Sequence, residues 1–108
     1  MSNGLLLFYT TVETKVEAHD LAKVLIESRF VACVNIIDRV ESFYRWEGRV
    51  NCSSEVIVLI KTIDIHFDKV NELICKHHKY SVPCVLSLSV SSHNDDYNEW
   101  IAELFSAK

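Results

Sequence analysis

Glycine and proline are nearly absent, with two of the former and one of the latter in 108 residues. So little linker and loop material leaves most of the chain to regular elements. A basic surplus is missing too: 11 Lys and Arg stand against 15 Asp and Glu, a net charge of -4. Binding phosphates needs a basic face, so nucleic acid is not an expected partner. The N-terminal "MSNGLLLFYT" has no basic n-region and no cleavage-site pattern, and its apolar run falls far short of the roughly 20 residues of a membrane span. An unprocessed cytoplasmic protein with no membrane partner is expected. Cys33, Cys52, Cys75 and Cys84 include no C-x-x-C pair, which argues for free thiols over disulfides and against a four-thiolate zinc site. Internal repeats and low-complexity segments are absent as well.

What is present is an apolar content of 49%, that of a globular chain, and a length that allows one domain over residues 1–108. Leu5 to Thr10 is a short continuous apolar run suited to a strand covered on both faces. Thr14 and Glu17 have capping-box spacing. They open a helix whose stripe is Ala18, Leu21, Ala22 and Leu25, ending near Ser28-Arg29.

From Phe30 the period switches to two. It places Ala32, Val34, Ile36, Val40, Tyr44 and Trp46 on one face, with Cys33, Asn35, Arg39, Glu41 and Arg45 on the other, unless a bulge shifts the register. Glu47-Gly48 supplies a two-residue turn, and Arg49 to Thr62 returns as the second arm. Asp64 is placed as N-cap of a second helix with the stripe Phe67, Val70, Ile74 and His77. After Pro83, "CVLSLSV" alternates as a strand. "SSHNDD" is a polar turn that caps a last helix with the stripe Tyr97, Trp100, Ile101, Leu104 and Phe105. Strand, helix, strand, strand, helix, strand is the order of a ferredoxin-like βαββαβ α+β sandwich, here with a long central hairpin and an extra C-terminal helix.

The hairpin sets an assembly problem. An arm of about 16 residues spans on the order of 50 Å, whereas a helix of about 13 residues covers only ~20 Å. The distal part still carries Phe43, Tyr44 and Trp46, an apolar payload that water disfavours. Symmetric assembly, with each hairpin laid over a neighbour and strands pairing between subunits, covers this surface and its edges.

The segments "FYTTVETKVEAHDLAKVLIESRFVACVNI", "SFYRWEG", "SEVIVLIKT", "HKYSVP" and "DYNEWI", in this order, resemble the CutA family of divalent-cation tolerance proteins across essentially the whole chain. The resemblance implies a ferredoxin-like homotrimer with a role in tolerance to copper and other divalent ions, and no obligatory cofactor. Lys79 departs from the family's H-P-Y, Cys84 stands where many members have an acid, and Thr10 stands where some have a cysteine. A site built on that cysteine and acid is therefore not transferable as it is, and Cys84 is a soft substitute.

Three residues are candidate metal ligands: His78, Cys33 and Cys84. His78, before a strand, suits copper or zinc as an imidazole donor, and equally suits a helix C-terminus. Cys33 reads either as a Cu(I) thiolate or as a buried thiol. A candidate cleft for a small anionic ligand comprises Lys61, Tyr80 and Trp46, as in the trimeric P-II signalling proteins; Lys61 reads equally as a snorkelling surface lysine. A scaffold acting through protein contacts alone is the third possibility. Enzymatic activity is not expected, because no serine lies in an activating motif and "YTTVETK" offers no anion-cradling arginine. "EVIVLIK" lacks the aromatic pattern of an RNA-recognition strand.

Overall fold

A computed structural model describes residues 4–91 and 93–106. Ser92 of the expected polar turn and residues 1–3 of the N-terminal segment lie outside the described residues. The elements in order are β1 (Leu5–Val12), α1 (Lys15–Glu27), β2 (Cys33–Trp46), β3 (Arg49–Ile63), a 3-10 turn (Asp64–His66), α2 (Phe67–His77), β4 (Val85–Ser89) and α3 (Asp95–Ser106). They form the expected mixed α/β arrangement of one four-stranded sheet and three helices, with the strands ordered β2-β3-β1-β4 and every neighbouring pair antiparallel. Among the described residues no helix is long and apolar enough to cross a membrane.

α1 begins where Thr14 Oγ1 accepts a bond from the Glu17 amide at 3.2 Å, satisfying one of the free N–H groups of the first turn. It ends on Ser28, followed by Arg29 at φ 70, a left-handed terminal residue. Ala18, Leu21 and Leu25 are buried, so the helical stripe packs as its spacing predicts. α2 adds Val70 and Ile74, and together the two helices cover Phe8, Val58 and Ile60, all fully buried. Phe67 stacks on Phe8 with ring centroids 5.4 Å apart.

Two details of α2 differ from the sequence reading. Asp64 does not cap the helix, because its amide still donates to Gly4 O at 2.8 Å and prolongs the β1–β3 ladder. The chain therefore passes through the 3-10 turn before α2 starts at Phe67. His77 is exposed, and Leu73 instead packs beside Val70 and Ile74.

The hairpin turn has both Glu47 (φ 51) and Gly48 (φ 75) in the left-handed region, as a two-residue primed turn requires. Two arms of 14 and 15 residues run from it. At ~3.3 Å per residue an arm measures about 46 Å, which accounts for the 47 Å long axis of the molecule. The hairpin extends from the body and does not fold back. Phe43 (70% exposed), Trp46 (63%) and Val50 (75%) stand in solvent near its end.

The period-two assignment of β2 to a single face is corrected by a β-bulge. Ile37 pairs with Ile57 and Val40 with Glu55, three steps along β2 against two along β3. Arg39 takes φ 63 there, and its amide is held by Asp38 Oδ1 at 2.8 Å. One extra residue reverses every side chain beyond it. Val34 and Ile36 pack against the helix-covered core. Val40, Tyr44 and Trp46 instead share the opposite face with Cys33, Asn35 and Ile37.

Where β1 and β4 cross it, that opposite face is largely apolar. By register it also carries Leu7, Tyr9, Ile57, Leu59, Leu86 and Leu88. α3 covers only the end where Leu5 pairs with Ile63, burying both against Ile101. Asn94 Oδ1 caps α3 by accepting from the Tyr97 amide at 2.8 Å, so the polar turn does cap this helix. Beyond α3's reach Ile37, Leu86 and Leu88 remain about half exposed. Trp100 and Leu104, two of the five stripe residues of α3, are likewise uncovered.

Candidate functional site

The end of β1 at Val12 and the end of α2 at His77 create a polar corner where the hairpin leaves the body. His78 is the first residue after α2 and has an extended backbone. Its ring turns inward: Nδ1 accepts from the Tyr80 amide at 3.1 Å, and Nε2 lies 2.8 Å from Thr11 O. These partners place the proton of the neutral ring on Nε2, donating to the carbonyl. Both nitrogens are thus occupied by backbone groups.

Tyr80 lies against the imidazole, with centroids 4.9 Å apart, and its hydroxyl donates to Glu55 Oε2 at 2.8 Å. Burial pushes the Tyr80 hydroxyl pKa well above its usual value. The hydrogen bond to Glu55, the Glu55 charge, and the charges of Glu13 and Glu17 add to the shift. A tyrosine ionising there would place an anion among three carboxylates. Nearby on β1, on the helix-covered face, Thr10 Oγ1 is fully buried and without a hydrogen-bond partner.

The other predicted residues lie elsewhere. Cys33 pairs across the ladder with Lys61 on the face opposite α1 and α2, its Sγ 3.9 Å from Asn35 Oδ1. Lys61 Nζ sits 5.9 Å above the Tyr97 ring of α3. Cys84 is exposed one residue before β4, and Trp46 ends β2 at the hairpin turn. The structure therefore joins His78 to Tyr80 and Cys33 to Lys61, and among the described residues no side-chain hydrogen bond or strand pairing links Cys84 or Trp46 to either pair. All four cysteines are free, as expected.

Within one chain these donors do not fit a metal ion: among the described residues no three His, Cys, Asp or Glu side chains converge. Nor does any His ring nitrogen bond a Ser, Thr, Cys or carboxylate side chain among them, so no nucleophile-base pair is assembled. Sequence reasoning missed Glu55 and Tyr97. The first is a lone acid at the head of the apolar run "EVIVLIK"; the second was credited only to the helix stripe.

The profile of the CutA1 divalent ion tolerance proteins matches residues 6–104. The chain belongs to this family. It is 38% identical over 93 residues to the divalent-cation tolerance protein CutA of Thermus thermophilus, covering 86% of this chain and 90% of that one. It is 34% identical over 96 residues to the chloroplastic protein CutA of Arabidopsis thaliana, covering 89% of this chain and 53% of that protein, so it spans about half the length of that relative. The crystal structure of the CutA1 protein from Ehrlichia chaffeensis superposes with a TM-score of 0.91 at 25% identity, over 97% of this chain and 98% of that one. The correspondence takes in the long hairpin as well as the body, since almost the whole of both chains is aligned.

Proposed function

We propose that this CutA-family chain is a non-catalytic divalent-cation tolerance protein that works as a ferredoxin-like homotrimer and binds copper or a related divalent ion with ligands drawn from more than one subunit. One observation carries the reading. The bulge at Asp38-Arg39 puts Tyr44 and Trp46 on the same uncovered face as Leu7, Tyr9, Leu59, Leu86 and Leu88. Apolar side chains left open on the sheet and along the hairpin call for a partner, and a closed ring of identical copies covers them while removing the exposed hairpin edges. The separation of the donors within one chain favours a shared site. Cys33 and Cys84 offer soft thiolates suited to Cu(I) without giving up a strong bond, whereas His78 must release Thr11 O or the Tyr80 amide to coordinate.

The test has two stages. Light scattering at micromolar concentration is expected to return three times the 12.4 kDa chain mass, and a single-chain mass sinks the reading. Copper titration under reducing conditions is then expected to lose at least tenfold in affinity in Cys33→Ser or Cys84→Ser. Unchanged affinity in both removes the thiols from the site, and unchanged affinity in His78→Ala removes the imidazole.

A further inference from the structure

α3 is tied to the rest of the chain lightly. Among the described residues no hydrogen bond or ion pair joins it to another element. It is held by Ile101, buried on Leu5 and Ile63, by Tyr97 and Phe105 packed beside them, and by the Lys61 ammonium over the Tyr97 ring. A helix docked through so small an apolar contact belongs to the part of a fold that opens before the core does. His66 stands at the Phe105 end of this contact. Its imidazole lies edge-on to Phe105 at 4.8 Å and to Phe30 at 5.2 Å, centroid to centroid, and so bridges α3 to the segment that follows α1. Among the described residues its ring nitrogens find no hydrogen-bond acceptor. The segments that meet there carry Arg29 beside Phe30, Asp64 on the 3-10 turn, Asp68 and Lys69 on α2, and Glu99 and Glu103 on α3. None of these makes an ion pair with the imidazole.

We infer that α3 is a pH-sensitive lid over the Leu5–Ile63 end of the sheet, latched by neutral His66 and released when His66 takes up a proton. A neutral imidazole packs between two phenyl rings at little cost. An imidazolium in the same place has lost water and gained no acceptor for its two N–H groups. Burial there holds the His66 pKa below its ordinary 6.5, the direction this geometry demands. When α3 lifts away, Phe105 goes with it and the imidazole regains water, so the undocked state binds the proton more readily. Docking is therefore fully supported above pH 6.5 and weakens as pH falls below it. For one proton the undocking constant grows by at most about tenfold per pH unit. Release bares Leu5 and Ile63, whereas Phe8, Val58 and Ile60 stay packed under α1 and α2. The change is local.

Release of α3 uses none of the candidate metal ligands, so it goes beyond the metal-tolerance reading and is tested on the metal-free assembled protein. The Cε1–H NMR signal of His66 is expected to titrate with a midpoint below 6.5 in the wild type. In Phe105→Ala, which loosens the helix and leaves the Phe8 core untouched, the midpoint is expected to rise toward 6.5. Amide exchange, corrected for its intrinsic pH dependence, is expected to show an α3 opening constant that grows below pH 6.5 by up to about tenfold per pH unit. The α1 amides are expected to keep their protection over the same range, and in His66→Phe the α3 opening constant is expected to stay flat. A wild-type midpoint at or above 6.5 overturns the inference, because the imidazolium then gains from the rings. A midpoint that Phe105→Ala leaves unmoved, an α3 opening constant independent of pH, or equal loss of protection in α1 and α3 overturns it as well.

Discussion

Leu59→Glu probes the uncovered face directly. Leu59 lies on β3 between Asn35 of β2 and Tyr9 of β1, near the centre of the side that α1 and α2 leave open. In a single chain the new carboxylate reaches water beside exposed Asn35, so the fold should survive with a change of under about 1 kcal/mol. In a trimer that buries this face, each protomer would instead bury an unpaired charge at a cost of at least about 3 kcal/mol. Three protomers then lose about 9 kcal/mol, roughly six decades in the assembly constant at about 1.4 kcal/mol per decade. Sedimentation velocity at 10 μM, a concentration chosen as ~10⁻⁵ M to sit well above tight-complex dissociation constants, is expected to show the wild type near three times 12.4 kDa and the variant near 12.4 kDa. Far-UV circular dichroism should be unchanged. Val16→Glu, at a position on α1 that is 69% exposed, is the control and should leave the mass alone. A Leu59→Glu protein that sediments like wild type refutes the assignment of this face to self-assembly.

Deleting Arg39 removes the extra residue of the bulge and returns Tyr44 and Trp46 to the helix side; the same sedimentation measurement should then show loss of assembly with the body still folded. Phe8→Ala removes a fully buried ring stacked on Phe67, and denaturant unfolding should register a loss of about 3–5 kcal/mol. His66 lies edge-on between Phe30 and Phe105, with centroids 5.2 and 4.8 Å away, and burial holds its pKa below 6.5. Because the unfolded chain takes up this proton first, the stabilisation is complete above pH 6.5 and falls as pH drops below it, by at most about 1.4 kcal/mol per pH unit. His66→Phe should flatten that part of the stability-pH curve; an unchanged slope between pH 6.5 and 5 would show that another group is responsible.

Much of this fold was legible because its signals are local. The α1 stripe, the Thr14 cap and the Glu47-Gly48 turn each depend on residues within a few positions of one another, and each is found where expected. The errors arise where tertiary pairing overrides a local pattern. Asp64 has the chemistry of a helix cap, yet its amide is committed to Gly4 across the sheet, and a sequence window does not contain that bond. His77 fits a helical stripe that already has Leu73 as its buried member. The bulge is the more consequential case. Asp38-Arg39 is an ordinary exposed pair in sequence, and only the ladder to β3 reveals that one residue is surplus. The candidate site was harder to read than the fold. His78 and Tyr80 are close in sequence and do meet, but their partners Thr11 and Glu55 come from two strands far along the chain. Cys33 and Lys61 meet through strand register alone.

The bulge and the two chemical regions are related through the sheet. Up to Ile37 the even-numbered residues of β2 serve the intramolecular core; beyond Val40 they lie with the uncovered face. The single insertion therefore marks the point where the even-numbered residues of β2 stop packing on the core of their own chain. The corner of Glu55, Tyr80 and His78 sits at that same point, since Glu55 is the residue that pairs with Val40. Its bonds tie the segment before β4 to the root of the hairpin, and burial of the Tyr80 hydroxyl beside Glu55 makes the tie costly to break. A ligand that takes His78 away from Thr11 O would disturb the ring tilted against Tyr80, and with it the root from which the hairpin projects. If the chain assembles as proposed, coordination at His78 is expected to shift the assembly equilibrium through the set of the hairpin. Equal trimer stability with and without copper, in a protein shown to bind copper through His78, would break that coupling.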